Sequence, residues 1–177
     1  MVFFDIIQSY IIKGVIILVI LQSMLLLQNL LYQHTEKAVL EEELSTASFT
    51  FSSEMRQIGY NSSVTPFTIA ETSRVEILGD VDNNGTADVV RYYLAPMPSS
   101  TKFYLERTVN GGAPITAGRN FRKFYLTYYD SLGHTTSILT KIKSISIQAT
   151  MENDKQFYGN YLTSSWQAQI FPPSINK

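Results

Sequence analysis

The sequence predicts an α+β protein in which one long amino-terminal helix packs, through its carboxy-terminal half, on an antiparallel β-sheet domain. Three observations support this prediction. The run from Gly14 to Leu31 carries no charged residue, and apolar residues recur at helical spacing from Leu40 to Ile58. The remaining chain is rich in β-branched and aromatic residues and is interrupted by Gly, Pro and Asn. We therefore divide the chain into residues 1–33, 34–59 and 60–177.

Residues 1–33 are predicted to form a hydrophobic helix that spans a membrane or builds the core of an assembly. The uncharged run has 18 residues, close to the roughly 20 that a helix needs to cross a bilayer. Asp5 stands where a cleaved secretory signal would carry basic residues, so we expect the segment to be retained. Lys13 precedes the run and a glutamate cluster follows it, which favours an amino end in the cytoplasm.

Residues 34–59 are predicted to continue as an amphipathic helix. Apolar residues return every three or four positions, which places them on one face of a helix. They are Leu40, Leu44, Ala47, Phe51, Met55 and Ile58. Gly59 comes directly after this stripe and a polar loop follows, which is typical of a helix end. We expect the stripe to pack on the dry face of the sheet.

Residues 60–177 are predicted to form six or seven antiparallel strands. The segments with strand composition are Arg74–Leu78, Ala87–Leu94, Phe103–Val109, Phe121–Tyr129, Ile142–Ala149 and Tyr161–Phe171. In the last of these segments, apolar and polar residues alternate from Ser165 to Ile170. Such alternation indicates a sheet with one buried face and one wet face.

The composition argues against several classes of function. Lys plus Arg number 14 and Asp plus Glu number 15, so the formal net charge is -1 and we expect no nucleic-acid partner. The chain has no Cys, which excludes disulfides and thiol chemistry. Neither His34 nor His134 stands in a catalytic constellation that can be recognised in the sequence. We therefore expect no enzyme and no catalytic residues.

The segment Asp80–Asp88 has the pattern of a calcium-binding loop. Oxygen-bearing residues alternate along it, and a glycine stands where such a loop turns sharply, as in the first nine positions of an EF-hand loop. The candidate ligands for Ca²⁺ are Asp80, Asp82, Asn84, Thr86 through its backbone carbonyl, and Asp88. The twelfth position is Arg91, where an EF-hand has a bidentate glutamate. We therefore expect weak affinity or a ligand from elsewhere.

The alternative for the same segment is a β-hairpin without a metal. Asn84-Gly85 lies between two apolar segments and is typical of a type I′ turn, in which both central residues have positive φ. The carboxylates would then be solvated turn residues. The hairpin is predicted under both interpretations, and the sequence leaves the metal open.

An apolar amino-terminal helix that continues as an amphipathic helix into a small antiparallel sheet resembles the type IV pilin and pseudopilin family. The local match is closest to minor pilins and pilin-like prepilin proteins. It lies in Glu54–Tyr60, Gly79–Asp88, Tyr92–Leu94, Arg107–Gly112, and the closing strand with Trp166 followed by Pro172. The layout covers the whole chain, and the motif-level similarity covers about a third of it.

This resemblance implies a structural subunit of an extracellular helical filament. The subunit would wait in the inner membrane, and pilus assembly machinery would polymerise it into a homo-oligomer with the helices in the core and the β-domain on the surface. Asp5 falls where the family carries an acidic residue, and Gly14 falls where a helix-loosening glycine is common. Asp5 would pair with the Met1 amine or with Lys13 of a neighbour and so fix the register.

Several alternatives stay open. Asp5 and Lys13 can instead be flanking charges that snorkel to a membrane interface. The chain can be a minor pilin or a secretion pseudopilin at a filament tip rather than a major subunit. It can also be a single-pass membrane protein that displays a calcium-dependent adhesion module on the cell surface.

Overall fold

The computed structural model describes residues 2–62 and 65–175, with side chains from residue 7 onwards. It contains one long helix, α1 (Val2–Arg56), followed by a sheet and two short 3₁₀ turns, Leu139–Lys141 and Pro173–Ile175. The strands are β1 (Phe67–Ala70), β2 (Arg74–Gly79), β3 (Asp88–Pro96), β4 (Phe103–Val109), β5 (Ile115–Tyr129), β6 (Ser144–Phe157) and β7 (Asn160–Ile170). The chain divides into two compact units between Ala38 and Val39.

The sheet of the second unit is a seven-stranded antiparallel meander. Each strand pairs with the next one along the chain, so the spatial order β1 to β7 is the order in the sequence. Such a sheet needs only hairpin connections. The layout confirms the predicted α+β class, with one long amino-terminal helix and an antiparallel sheet.

The second half of α1 packs on one face of this sheet, as the apolar stripe predicted. All six residues of the stripe are buried: Leu40, Leu44, Ala47, Phe51, Met55 and Ile58. The ring of Phe51 lies edge-on to Tyr92, with centroids 4.8 Å apart, and to Phe124 at 5.4 Å. Aromatic pairs prefer this geometry to a face-to-face stack. The stripe therefore forms the centre of the core of the second unit.

The helix ends at Arg56, two residues before the end of the apolar stripe. Ile58 is buried in the turn that follows, and Gly59 has a φ of 77°. The Gly59 N–H donates to the carbonyl of Leu78, 2.8 Å away. Glycine adopts positive φ at little cost, so it can stop the helix and turn the chain towards β2. This agrees with the predicted role of Gly59.

Alternating burial along β7 confirms the predicted wet and dry faces. Ser165, Gln167 and Gln169 are exposed, whereas the residues between them are less accessible and Ile170 is buried. Because successive side chains of a strand point to opposite faces, only one row reaches the core.

The predicted hairpin between β2 and β3 is present, but the predicted two-residue turn at Asn84-Gly85 is wrong. Strand pairing ends at Gly79 opposite Asp88, which leaves eight residues, 80–87, in the connection. Positive φ occurs at Asn83 (58°) and Gly85 (90°), not at Asn84. The carboxylate of Asp80 accepts hydrogen bonds from two backbone N–H groups of the loop, and this holds a wide loop instead of a tight turn.

Candidate functional site: the apolar helix and the acidic loop

The first candidate site is the surface of α1 between Ile7 and Leu31. Every residue in this range is exposed, and apolar side chains occur around the whole circumference of the helix rather than on one face. The helix is long and apolar enough to cross a membrane by length and composition. A helix that is apolar on all sides requires an apolar environment, either lipid or other helices.

Two polar residues of this surface, Lys13 and Ser23, make contacts within their own helix. The Ser23 hydroxyl donates to the carbonyl of Val19 at 2.8 Å, within its own helix. The ammonium of Lys13 lies 5.7 Å from the ring centroid of Tyr10. A Cβ at Gly14 would meet no atom within 4 Å, so nothing inside the chain requires glycine there. Space at Gly14 is therefore free for a neighbouring helix.

The charge pair predicted for this surface is described only in part. Lys13 and Gly14 lie on the exposed surface of α1. Met1 and the side chain of Asp5 lie outside the described residues. The pairing of Asp5 with Lys13 or with an amine of another copy therefore stays a prediction.

The second candidate site is the loop that joins β2 to β3. Asp80 follows β2 and Asp88 begins β3, and both are buried, whereas Asp82 lies exposed in the loop. One carboxylate oxygen from each of these three residues lies within 4.8 Å of the other two. Three convergent carboxylates offer hard oxygen ligands of the type that Ca²⁺ prefers.

The two remaining predicted ligands are engaged with each other. The Oδ1 atom of Asn84 accepts hydrogen bonds from both the backbone N–H and the hydroxyl of Thr86. Both side chains are exposed. A contribution of the Thr86 backbone carbonyl to a metal site stays a prediction. The structure thus brings the three aspartates together. Asn84 contacts them as a donor, because its side-chain amide donates to Asp82 at 2.8 Å.

Hydrogen-bond donors already surround the three carboxylates. Asp80 accepts from the side chain of Asn61 at 2.8 Å and from the backbone N–H groups of Asn84 and Gly85 at 2.9 and 2.8 Å. Burial acts to raise the pKa of Asp80, but these bonds outweigh it and lower the pKa below its ordinary value of 3.8. Asp80 is therefore an anion at neutral pH, whether or not a cation is bound.

Two asparagines that the sequence analysis did not assign to the loop hold it from outside. Asn61 donates to Asp80, and Asn110 donates to Asp88 at 2.7 Å while it accepts the N–H of Val89 at 2.9 Å. Both have positive φ, 55° and 51°. Asparagine is enriched at such backbone positions, so the turn sequences Asn61-Ser62 and Asn110-Gly111 were the available signal.

The residue at the twelfth loop position is committed elsewhere. Arg91 forms an ion pair with Glu76, and Glu76 also accepts a hydrogen bond from the hydroxyl of Thr68 at 2.7 Å. The side chain of Arg91 has no oxygen to offer a cation, and its charge is balanced by Glu76. A cation bound by the three aspartates would have to complete its shell with water or with backbone carbonyls.

Comparisons with known proteins give no relative for this chain. No family model matches it, and neither a curated protein nor a solved structure matches it. Function is therefore inferred from the chain's own residues.

Proposed function

We propose that this protein is the structural subunit of an extracellular, type IV pilus-like helical filament. The observation that supports this proposal most strongly is the surface of α1 from Ile7 to Leu31, which is apolar on all sides and exposed throughout. In the filament these helices bundle into the core, and the β-sheet unit forms the outer surface. Before assembly the same helix anchors the chain in the inner membrane, with the amino end in the cytoplasm.

Burial supplies the stabilisation of such a polymer. Removing one Leu, Ile or Val side chain from water contributes roughly 1.5–3 kcal/mol, and this surface holds many of them. Transfer from lipid into a helix bundle gains less, because lipid is also apolar, so close packing decides the outcome. One helix surface meets a different surface of its neighbour, and such heterologous contacts continue into an open helical polymer.

A second candidate function uses the same anchor without a polymer. The convergence of Asp80, Asp82 and Asp88 favours a single-pass membrane protein that displays a calcium-dependent adhesion module.

A minor pilin or secretion pseudopilin at a filament tip shares all the features of the main proposal. Its abundance in purified filaments separates it from a major subunit.

The test is the state of the full chain in material sheared from the producing cells. We expect filaments that contain this chain, with helical density in their centre by cryo-electron microscopy and the amino terminus fixed by mass spectrometry. If the chain stays in the membrane pellet as monomers, the filament proposal is wrong.

Because the sequence contains no cysteine, a spin label can be attached at a single introduced cysteine. A spin label on Leu18→Cys should show strong broadening in the sheared fraction, because neighbouring helices bring labels together, and dilution with unlabelled chain should remove it. Leu132→Cys, in an exposed loop of the sheet unit, serves as the control and should show little broadening. A membrane-anchored monomer predicts no broadening at either site.

A further inference from the structure

The loop between β2 and β3 contains an acceptor sequence for N-linked glycosylation, Asn84-Gly85-Thr86. The motif requires an asparagine, then any residue except proline, then a serine or threonine. A second such triplet, Asn61-Ser62-Ser63, follows the end of α1. Because triplets of this kind are frequent by chance, the surroundings of each asparagine decide whether it can be an acceptor.

Asn84 lies on the exposed part of its loop. All residues from Asp82 to Ala87 are exposed. A Cβ built on Gly85 would meet no atom within 4 Å other than those of its chain neighbours, so the space beside Asn84 is open. The buried carboxylate of Asp80 accepts the N–H groups of Asn84 and Gly85 at 2.9 and 2.8 Å and so holds the backbone. A large reagent can therefore reach the Asn84 side chain while the fold stays intact.

Both ends of the Asn84 amide are hydrogen-bonded within the loop. Its Oδ1 atom accepts from the hydroxyl of Thr86 and, at 2.8 Å, from the N–H of the same residue. Its Nδ2 atom donates to the carboxylate of Asp82 at 2.8 Å. An amide nitrogen is a poor nucleophile because resonance delocalises its lone pair into the carbonyl. Donors at the oxygen and a proton acceptor at the nitrogen both favour the imidate-like form, in which the nitrogen is nucleophilic.

The two neighbouring candidates lack this arrangement. The amide of Asn61 donates at 2.8 Å to Asp80, which is 1% exposed. A sugar on that nitrogen would lie against a buried carboxylate and disturb a bond that satisfies it, at a cost in folding free energy. Asn83 is exposed, but the residue two positions later is Gly85, which has no hydroxyl. Of these three asparagines, only Asn84 combines a hydroxyl at the required position with an amide whose contacts are all exposed.

We propose that Asn84 is a glycosylation site and that its Nδ2 atom receives an oligosaccharide from a polyprenyl pyrophosphate-linked donor. The nitrogen bonds to the anomeric carbon of the first sugar, and the bond from that carbon to the phosphate oxygen breaks. The polyprenyl pyrophosphate leaves with the electron pair, and one Nδ2 proton passes to a base of the transferase. The other Nδ2 proton remains and can still be donated to Asp82.

Thr86 acts as a positioning residue, because its hydroxyl holds the amide from the oxygen side. The inference rests on the proposed function for its compartment only. A β-sheet unit that is displayed outside the cytoplasm is accessible to a transferase that uses lipid-linked donors at the membrane.

Mass spectrometry of the full chain from the producing cells tests the site. Trypsin cleaves after arginine, so the two acceptor triplets fall in different peptides, residues 57–74 and 75–91. We expect a glycan mass on peptide 75–91, assigned to Asn84 by electron-transfer fragmentation, and none on peptide 57–74. An unmodified peptide 75–91 in both the sheared and the membrane fraction would overturn the proposal. A glycan on peptide 57–74 alone would contradict it as well.

Variants of Thr86 separate the role of the hydroxyl from a role in folding. Thr86→Val keeps the shape of the side chain but removes the hydroxyl, so we expect the glycan to be lost. Thr86→Ser restores the hydroxyl and should restore the glycan. The matched control is Asn83→Gln, which changes the neighbouring exposed asparagine and should leave the glycan in place. Unfolding temperatures in detergent check that each variant folds. A glycan that persists in Thr86→Val would show that the acceptor triplet is not what is recognised.

The outcomes distinguish this inference from the filament proposal. Filaments whose peptide 75–91 carries no glycan would leave the polymer standing and remove the glycosylation site. A glycosylated chain that stays in the membrane pellet as monomers would remove the polymer and keep the site, because the transfer requires only that the sheet unit lies outside the cytoplasm.

Discussion

Glu54 shows how a single residue joins the helix to the sheet. From the last turns of α1 its carboxylate accepts the phenol hydrogen of Tyr92 at 2.6 Å and bonds from Arg107 at 2.6 and 3.0 Å. Burial and the neighbouring Glu54 raise the pKa of Tyr92, so the phenol stays protonated as a donor. The hydrogen bond to Glu54 raises the pKa of Arg107. Tyr92 and Arg107 are thus both held in the protonated states that donate to Glu54.

Replacing Glu54 should therefore destabilise the sheet unit strongly. Glu54→Ala leaves the buried hydroxyl of Tyr92 and the charge of Arg107 without their acceptor, and we expect a loss of about 2–4 kcal/mol in the free energy of unfolding. Urea unfolding of the full chain in detergent measures it. Trp166 is the only tryptophan in the sequence and packs, partly buried, against this core, so its fluorescence reports on it.

Glu43→Ala is the matched control for that measurement. Glu43 also binds an arginine from the sheet, but its partner Arg119 is largely exposed, so the pair should contribute about 0–1 kcal/mol. Equal losses for the two variants would show that burial does not distinguish the pairs and that the network around Glu54 does not fasten the helix.

At the scale of elements, the apolar pattern was a reliable guide wherever one face is buried. The stripe of α1 and the strand β4 (Phe103–Val109) have the predicted positions because helical or alternating spacing matches a single core. The sequence also predicted that the aspartates of the acidic loop lie close together, because oxygen-bearing side chains at alternating positions of a short connection converge. The positions of Asn61 and Asn110 beneath this loop were not predicted, since they depend on chain segments distant in the sequence.

The sequence did not predict β1 and predicted β5 and β6 too short, because the composition of these segments is not typical of strands. The strand β1 (Phe67–Ala70) is only four residues long, and its pairing is irregular between Phe67 and Ile69. The first part of β5 contains Gly118 and Asn120, and the end of β6 contains Glu, Asn, Asp and Lys. Gly118 has poor strand propensity, yet it pairs with Leu105 of β4. The polar end of β6 resumes its pairing with β7 at Gln156, after a register shift. Tertiary pairing is not visible in a local window of sequence.

A metal titration tests whether the acidic loop, residues 80–88, binds Ca²⁺. We propose that Asp80, Asp82 and Asp88 bind Ca²⁺ weakly, because three carboxylates converge but a bidentate ligand at the twelfth position is missing. Millimolar Ca²⁺ should raise the unfolding midpoint of the full chain in detergent, by mass action on the folded state. In Asp82→Asn this rise should disappear, while equal Mg²⁺ should give little of it.

Asp130→Asn provides the matched control for the loop. Asp130 also accepts backbone N–H groups in an exposed connection, from Leu132 and His134 at 2.9 Å each, but belongs to no such carboxylate cluster in the described part of the chain. Its variant should keep the full response to Ca²⁺. A wild-type midpoint that Ca²⁺ leaves unchanged would favour the hairpin without a metal, in which amide donors alone balance the carboxylates.

At the scale of the whole molecule, the apolar residues of the chain occur in two different environments. In the second unit they are buried within the chain, in a core shared by the helix stripe and the sheet. From Ile7 to Leu31 they are exposed. The excess of hydrophobic residues, 45% of the sequence, is therefore a property of one segment and reflects what that segment must contact rather than how the protein folds.

The charges within the apolar segment give the decisive test of how copies would contact one another. If Asp5 of one copy pairs with Lys13 of the next, reversing either charge alone should abolish filaments, because two like charges would be buried together. Asp5→Lys with Lys13→Asp should restore them. Membrane insertion, measured by fractionation, should be similar in all three variants. Loss of filaments with Asp5→Lys but not with Lys13→Asp would instead indicate the amine of Met1 as the partner, since that group cannot be exchanged. Charges that merely snorkel to a membrane interface predict filaments in every variant, and that result would remove the register pair from the proposed assembly.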